Sequence, residues 1–149
     1  MSLFRPANPR HVDLGLLLLR IVTGIIWMMH GGQKLFVFGF GGVTGAFTQM
    51  GVPLPGITGP LVALLEFFGG LALVIGLLTR LAGLGLALDM LGAILLVHLK
   101  NGFFNPQGFE FPLLLCVVAL ALVIGGAGRY SADHAISERR RPRVVGTPA

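Results

Sequence analysis

With 149 residues, 54% hydrophobic and only 11% charged, and a mean hydropathy of +0.86, the chain lacks the polar surface of a water-soluble domain; at ~20 residues per crossing it has length for about four membrane spans. Its single cysteine, Cys116, excludes an intrachain disulfide and a Cys-x-x-Cys redox pair. A net charge of +5 and a pI near 10.7 do not point to nucleic acid, because the basic residues gather at the ends of apolar segments and in one tail, where membrane topology and anionic lipid account for them.

Arg5, Pro6, Pro9 and Arg10 open the chain like the basic flank of a signal peptide. The apolar stretch that follows contains Arg20 and has no Ala-x-Ala-like site before Gly31, so it reads as a retained membrane anchor, with a first span over about 13–29. Residues 31–60 are a glycine- and proline-rich outer connection that one continuous helix cannot cover. Within it Val43, Phe47 and Met50 recur at helical spacing and predict a short amphipathic helix on the bilayer surface. The glycine cluster there lacks the Gly-Lys-Ser/Thr of a phosphate loop. A second span covers 57–78, and the Thr79-Arg80 connection is so short that the third, 81–98, must return antiparallel beside it. A polar and aromatic outer loop at 100–109 leads to a fourth span over 111–126. The tail from 129 to 149 is rich in arginine and proline, and disorder is expected there.

These elements predict an all-α integral membrane protein, a four-transmembrane-helix bundle with a short outer interfacial helix. Residues 1–12 are the expected cytoplasmic N-terminal segment, 13–133 the membrane domain and 134–149 a basic cytoplasmic tail. No internal repeat stands out, but Gly59/Ala63, Ala72/Gly76, Gly83/Ala87 and Ala121/Gly125 place small residues four apart for close helix contact. With four spans, Arg5, Arg10, Arg80, Arg129, Arg139, Arg140, Arg141 and Arg143 fall on one side of the membrane and only Lys34 and Lys100 on the other, which predicts both termini in the cytoplasm.

Arg20, Glu66 and Asp89 lie deep inside apolar runs, where ionisable groups are costly and mark function or paired structure. Counted from the predicted outer ends of their spans at ~1.5 Å per residue, each sits roughly 14–15 Å down, so Arg20 is expected to pair with Glu66 or Asp89 near the midplane. A second, outer polar layer comprises His30, Gln33, Lys34, His98, Lys100, Asn101 and Glu110. Arg20, Gly24, Trp27, Gly31 and Lys34 follow one helical stripe, so the first span can present both layers to one cavity. Plainer roles stand beside these: an Arg–carboxylate pair can simply fix helix neighbours, and a histidine at a membrane end can anchor or cap. Trp27 and Phe103-Phe104 suit packing or the membrane interface, and Cys116 has no basic activator in its own helix. His30, Lys34 and His98 do not form a metal motif, and no metal is expected.

The segments Leu18-Leu19-Arg20, His30-Gly31-Gly32-Gln33-Lys34-Leu35-Phe36, Gly51-Val52-Pro53, Leu64-Leu65-Glu66-Phe67-Phe68-Gly69-Gly70, Gly76-Leu77-Leu78-Thr79-Arg80, His98-Leu99-Lys100-Asn101-Gly102-Phe103-Phe104 and Gly128-Arg129-Tyr130-Ser131 together resemble the DoxX family of small bacterial membrane proteins, over about 14–133. The resemblance implies a four-span helical architecture in a bacterial inner membrane and a link to oxidoreductase complexes, since the family is named from subunits of a thiosulfate:quinone oxidoreductase. It points to Arg20, His30, Gln33, Lys34, Glu66, His98, Asn101 and Glu110, whereas Asp89 rests on the chain's own pattern. No soluble catalytic domain accompanies these spans, so a self-sufficient thiosulfate oxidase is not expected.

The leading expectation is a quinone-interacting membrane subunit of an oxidoreductase complex. Glu66, His30 and His98 would be catalytic, and Arg20, Gln33, Lys34, Asp89, Asn101 and Glu110 would bind the quinone in a site open to the outer leaflet. Its partners would be the lipid bilayer, an oxidoreductase subunit and further copies of itself. The alternatives are a non-enzymatic membrane scaffold or chaperone, and a small-anion transporter using Arg20 that would need a dimer to enclose a path.

Overall fold

The computed structural model describes residues 8–140, and among these every regular element is helical. The first, α1 (Pro9–Gly32), starts with proline in its first turn and with the Asn8 side chain accepting from the Arg10 amide at 3.0 Å. It runs without interruption into a π-helical turn, Gln33–Phe38, before Gly39 at φ +64° breaks the axis. Next come α2 (Gly39–Met50), α3 (Pro55–Ile75) and α4 (Thr79–Ala93). The last of these continues as a π-helical turn, Ile94–His98, and a short 3-10 turn, Leu99–Asn101. A loop leads to α5 (Glu110–Gly125), and α6 (Ala132–Arg140) closes the described chain.

The helical runs Pro9–Met50, Pro55–Ile75 and Thr79–Asn101 are long and apolar enough to cross a membrane, and the 16-residue α5 supplies a shorter fourth apolar helix. Two boundaries differ from the sequence expectation. The first helix runs past its expected end near Met29 to Phe38, while the short helix expected within 31–60 from Val43, Phe47 and Met50 is present as α2, with Gly41, Gly42 and Gly45 inside it. Glycine costs only about 1 kcal/mol per helical position, whereas a backbone amide left open in hydrocarbon costs several, so the helical hydrogen bonds prevail. The second correction concerns the tail, which was expected to lack order but forms α6 over 132–140. The tail beyond 140 and the first seven residues lie outside the described chain.

α1 packs antiparallel on α3 at a distance that only glycine permits. A Cβ on Gly70 would stand 2.6 Å from the Gly24 carbonyl oxygen, and one on Gly24 would stand 2.7 Å from that of Gly70. Further along, Gly31 rests on the backbone of Phe67 and Ala63. α2 lies across the start of α3, with buried Val43 against Gly59. α4 pairs with α5 through Gly83, which faces Ala119 and Val123, and joins α3 where Leu86 covers Gly69. Trp27, Leu73, Leu86, Ala87, Ala119 and Leu122 fill the centre between these pairs. Gly59/Ala63 and Gly83/Ala87 thus sit in helix contacts, as their spacing suggested.

Candidate functional site

Three ionisable side chains from three helical runs meet inside the bundle. Glu66, on α3, is buried and forms an ion pair with Lys34, which projects from the π-helical turn that continues α1. The contact follows from the glycine register: with Gly31 seated on the Phe67 backbone, the side chain three residues on reaches Glu66. π-helical turns often occur at functional sites, because the extra residue re-aims the side chains around it. Asp89, on α4, interacts electrostatically with both Glu66 and Lys34. It follows Leu86, whose side chain covers Gly69 on α3, by three residues and so shares that face of α4.

The cluster holds two carboxylates and one ammonium, and its hydrogen bonding is incomplete. Asp89 Oδ2 is buried without a hydrogen-bond partner among the described residues, and so is the indole Nε1 of Trp27. An orphaned acceptor and an orphaned donor in an otherwise apolar interior are expensive, and such groups mark places where a ligand, a proton or water is handled. Beside Lys34 the surface is aromatic: Phe36 and Phe67 meet edge to face at 5.6 Å, and Phe67 and Phe68 at 5.3 Å. Phe36 and Phe68 are exposed on the bundle's apolar exterior, and Lys34 keeps a partly open side chain. A flat apolar molecule dissolved in the bilayer thus has an aromatic approach to the charged cluster.

Arg20 is not part of this cluster, and its expected pairing with Glu66 or Asp89 is wrong. Its Nη2 donates to the Tyr130 carbonyl at 2.7 Å, its guanidinium packs on Gly76 and Ser131, and its charge partner is Asp133. The depth estimate failed because it ended the first helix at His30. The helix continues to Phe38, and the antiparallel register sets Lys34 against Glu66 while carrying Arg20, about 21 Å away along the axis, to the far end of α3.

The outer-layer residues separate into two groups. His98 Nδ1 lies 2.8 Å from the Gln107 carbonyl, Asn101 Nδ2 donates to the carbonyls of Val97 at 3.4 Å and Gln107 at 3.3 Å, and Glu110 accepts from the Asn105 amide at 2.7 Å. These three shape the loop between α4 and α5. His30 and Gln33 are exposed on the first helix. The single outward-opening set expected from His30, Lys34, Glu66, His98 and Glu110 is therefore divided among a buried ion pair, a loop framework and an exposed His30. Among the described residues no group of three His, Cys, Asp or Glu side chains is placed to hold a metal ion.

At the other end of the bundle the structure reveals a constellation that the sequence reading missed. Asp133 accepts from the amides of Leu78 at 2.7 Å and Thr79 at 2.9 Å, capping α4 from a distant segment, and its own amide donates to the Gly76 carbonyl at 2.9 Å. Asp13 accepts from the Arg129 amide at 3.0 Å. The available signal was a helix start with no capping residue, Leu77-Leu78 before Thr79, which required a cap from elsewhere. A cavity of about 690 Å³ opens beside these contacts.

A family model described as DoxX matches residues 15–99, and one described as TQO small subunit DoxD matches residues 58–143. The chain is 39% identical over 111 residues to "Putative oxidoreductase CatD" of Bacillus subtilis, covering 74% of this chain and 79% of that one. It is 36% identical over 129 residues to the inner membrane protein YqjF of Escherichia coli, covering 85% and 95% respectively. An uncharacterized membrane protein of Mycobacterium tuberculosis is 30% identical over 132 residues, covering 81% of this chain and 80% of its own. No solved structure matches.

Proposed function

The chain belongs to the DoxX family, and from that premise we propose that it is a quinone-interacting membrane subunit of an oxidoreductase complex, with the Lys34–Glu66–Asp89 cluster as its working centre. The match to the DoxD small subunit and the name of the Bacillus relative support the redox class. The observation that carries the assignment to these residues is the orphaned Oδ2 of Asp89 beside a buried ion pair. A pair serving only to join α1 and α3 needs no third ionisable group, and burying one without hydrogen bonds lowers stability.

The residues suit a quinone. Lys34 Nζ is a donor for a carbonyl oxygen, and Phe36, Phe67 and Phe68 supply an apolar approach for a flat ring. When bound, a quinone supplies two-electron, two-proton redox chemistry. Within the chain, Glu66 holds Lys34 in place and keeps its ammonium from leaving for the lipid surface. Asp89, with a free carboxylate oxygen, accepts and returns a proton. The packed residues around Trp27 exclude bulk water, so a proton moves through these side chains. In this reading His98, Asn101 and Glu110 order the outer loop, and His30 and Gln33 stand at the outer end of the first helix. Electrons come from a partner subunit, and the arginine-bearing end of the bundle faces the cytoplasm of a bacterial inner membrane.

Arg20 is wholly buried: its Nη2 donates to the Tyr130 carbonyl and Asp133 is its charge partner, while Nε and Nη1 have no hydrogen-bond partner among the described residues. The test is to purify the full chain from native membranes and measure bound quinone per chain together with co-purifying polypeptides. Lys34→Met and Glu66→Gln should each lower quinone content at least fivefold, while His11→Ala, at the far end of α1, should not. Quinone content equal in all variants, or a stoichiometric partner with no quinone in the unaltered protein, would refute the proposal and favour a membrane scaffold.

A further inference from the structure

The cavity at the arginine-bearing end is formed where the start of α1, the α3–α4 turn, the end of α5 and the start of α6 converge. Its volume of about 690 Å³ is large enough for a phosphate and its glycerol linkage. Its ionisable lining residues are Asp13, Arg80, Arg129, Asp133 and His134. The acids are already committed to backbone amides: Asp13 to that of Arg129, and Asp133 to those of Leu78 and Thr79. The arginines are not committed. Neither Arg80 nor Arg129 makes an ion pair among the described residues, and the only side-chain hydrogen bond of Arg80 there is a long one, 3.5 Å, to the Ile124 carbonyl. Two guanidinium groups with open donor positions thus face a cavity whose carboxylates are occupied.

The surroundings select the kind of anion. Leu78 and Leu81 line the same cavity and are 60% and 66% exposed, and Ile124, on the neighbouring turn of α5, is 79% exposed. A soluble anion gains nothing from such a rim, whereas a lipid places its headgroup over the arginines and its acyl chains along the aliphatic side chains. The height is also suitable, because Arg80 stands at the first turn of α4 and Arg129 just beyond the end of α5, where apolar helix gives way to polar chain.

We propose that this cavity is a binding site for an anionic phospholipid, with Arg80 and Arg129 holding the phosphate and Leu78, Leu81 and Ile124 receiving the acyl chains. The site is independent of the Lys34–Glu66–Asp89 cluster, so neither proposal depends on the other.

The full chain in detergent is titrated with phosphatidylglycerol and, separately, with phosphatidylcholine, and bound lipid is counted by native mass spectrometry. Phosphatidylglycerol should be retained preferentially. Each arginine near the headgroup contributes about fivefold in affinity, so Arg80→Gln with Arg129→Gln should weaken retention on the order of thirtyfold. Lys100→Gln, at the opposite end, should leave it unchanged. Glycerol 3-phosphate at millimolar concentration distinguishes the lipid from its headgroup: failure to displace phosphatidylglycerol supports the lipid site, and equal displacement overturns it in favour of a soluble phosphate ester. Thermal melting of the unaltered chain provides a readout that needs no variant, because phosphatidylglycerol should raise the midpoint more than phosphatidylcholine does. Equal shifts with the two lipids, or a double variant that folds and binds as well as the unaltered chain, would overturn the proposal.

Discussion

Replacing Lys34 with methionine removes one member of a buried ion pair and leaves Glu66 in place. The Glu66 side chain is 6% exposed and that of Lys34 is 21% exposed, so the carboxylate loses its counter-charge without gaining water. Breaking a buried pair in this way costs about 3–5 kcal/mol, and the partial exposure of Lys34 puts the expected loss near the lower figure. For a chain of this size each kcal/mol lowers the melting midpoint by roughly 2–4 °C, which gives a drop on the order of 6–12 °C. The molecule contains its own reporter: the single tryptophan, Trp27, is 1% exposed at the centre of the bundle, so its fluorescence follows loss of packing. Glu66→Gln added to Lys34→Met removes the uncompensated charge and should recover at least half of the loss, because two neutral residues of similar volume replace the pair. If the double variant melts no higher than Lys34→Met alone, the Lys34–Glu66 contact is not what holds α1 against α3 at this level.

Three further outcomes follow from the packing. Asp133→Ala removes both the cap on the Leu78 and Thr79 amides, about 1–2 kcal/mol, and the counter-charge of buried Arg20, so the total loss should exceed about 2 kcal/mol, and limited proteolysis should cut near α6 sooner than in the unaltered chain. Gly70→Ala should cost about 1–3 kcal/mol, seen as a lower melting midpoint, because the added methyl group meets the Gly24 carbonyl, whereas Gly92→Ala, with open space at its Cβ, should be neutral or slightly stabilising. In a Cys116→Ala background, cysteines placed at Gln49 and Ser137 should label from opposite sides of the membrane; labelling from one side alone would remove the four-span arrangement.

Much of the architecture was legible because hydrocarbon imposes simple rules. Long apolar runs must be helical, and a connection of very few residues forces antiparallel neighbours, although it lies at 76–78 and not at Thr79-Arg80, which already belong to α4. The same rules explain what was misjudged. Glycine and proline over 31–60 excluded one continuous helix, and the structure does break near Gly39 and between Met50 and Pro55, but they also set the end of the first helix too early, since it runs on to Phe38. The ordering of residues 132–140 was hidden because it depends on contacts 54 and 55 residues away in sequence, from Asp133 to Thr79 and Leu78.

The candidate site shows how a correct helical face can still carry a wrong pairing. Arg20, Gly24, Trp27 and Gly31 do share the buried face of α1, and Lys34 extends that stripe into contact with α3, as periodicity required. A stripe gives azimuth but not register. Register was set by backbone approach: Gly24 at Gly70 and Gly31 at Phe67 align the two helices so that the cation meeting Glu66 is Lys34. Once that alignment is fixed, Arg20 must find its counter-charge beyond the end of α3, and it does so in Asp133, which also caps α4. The same two glycine contacts therefore decide both which lysine charges the centre of the bundle and which arginine fastens its end. Shifting α1 along α3 by one turn, about 5.4 Å, would break both arrangements at once, so the centre and the end of the bundle are coupled through a single helix pair.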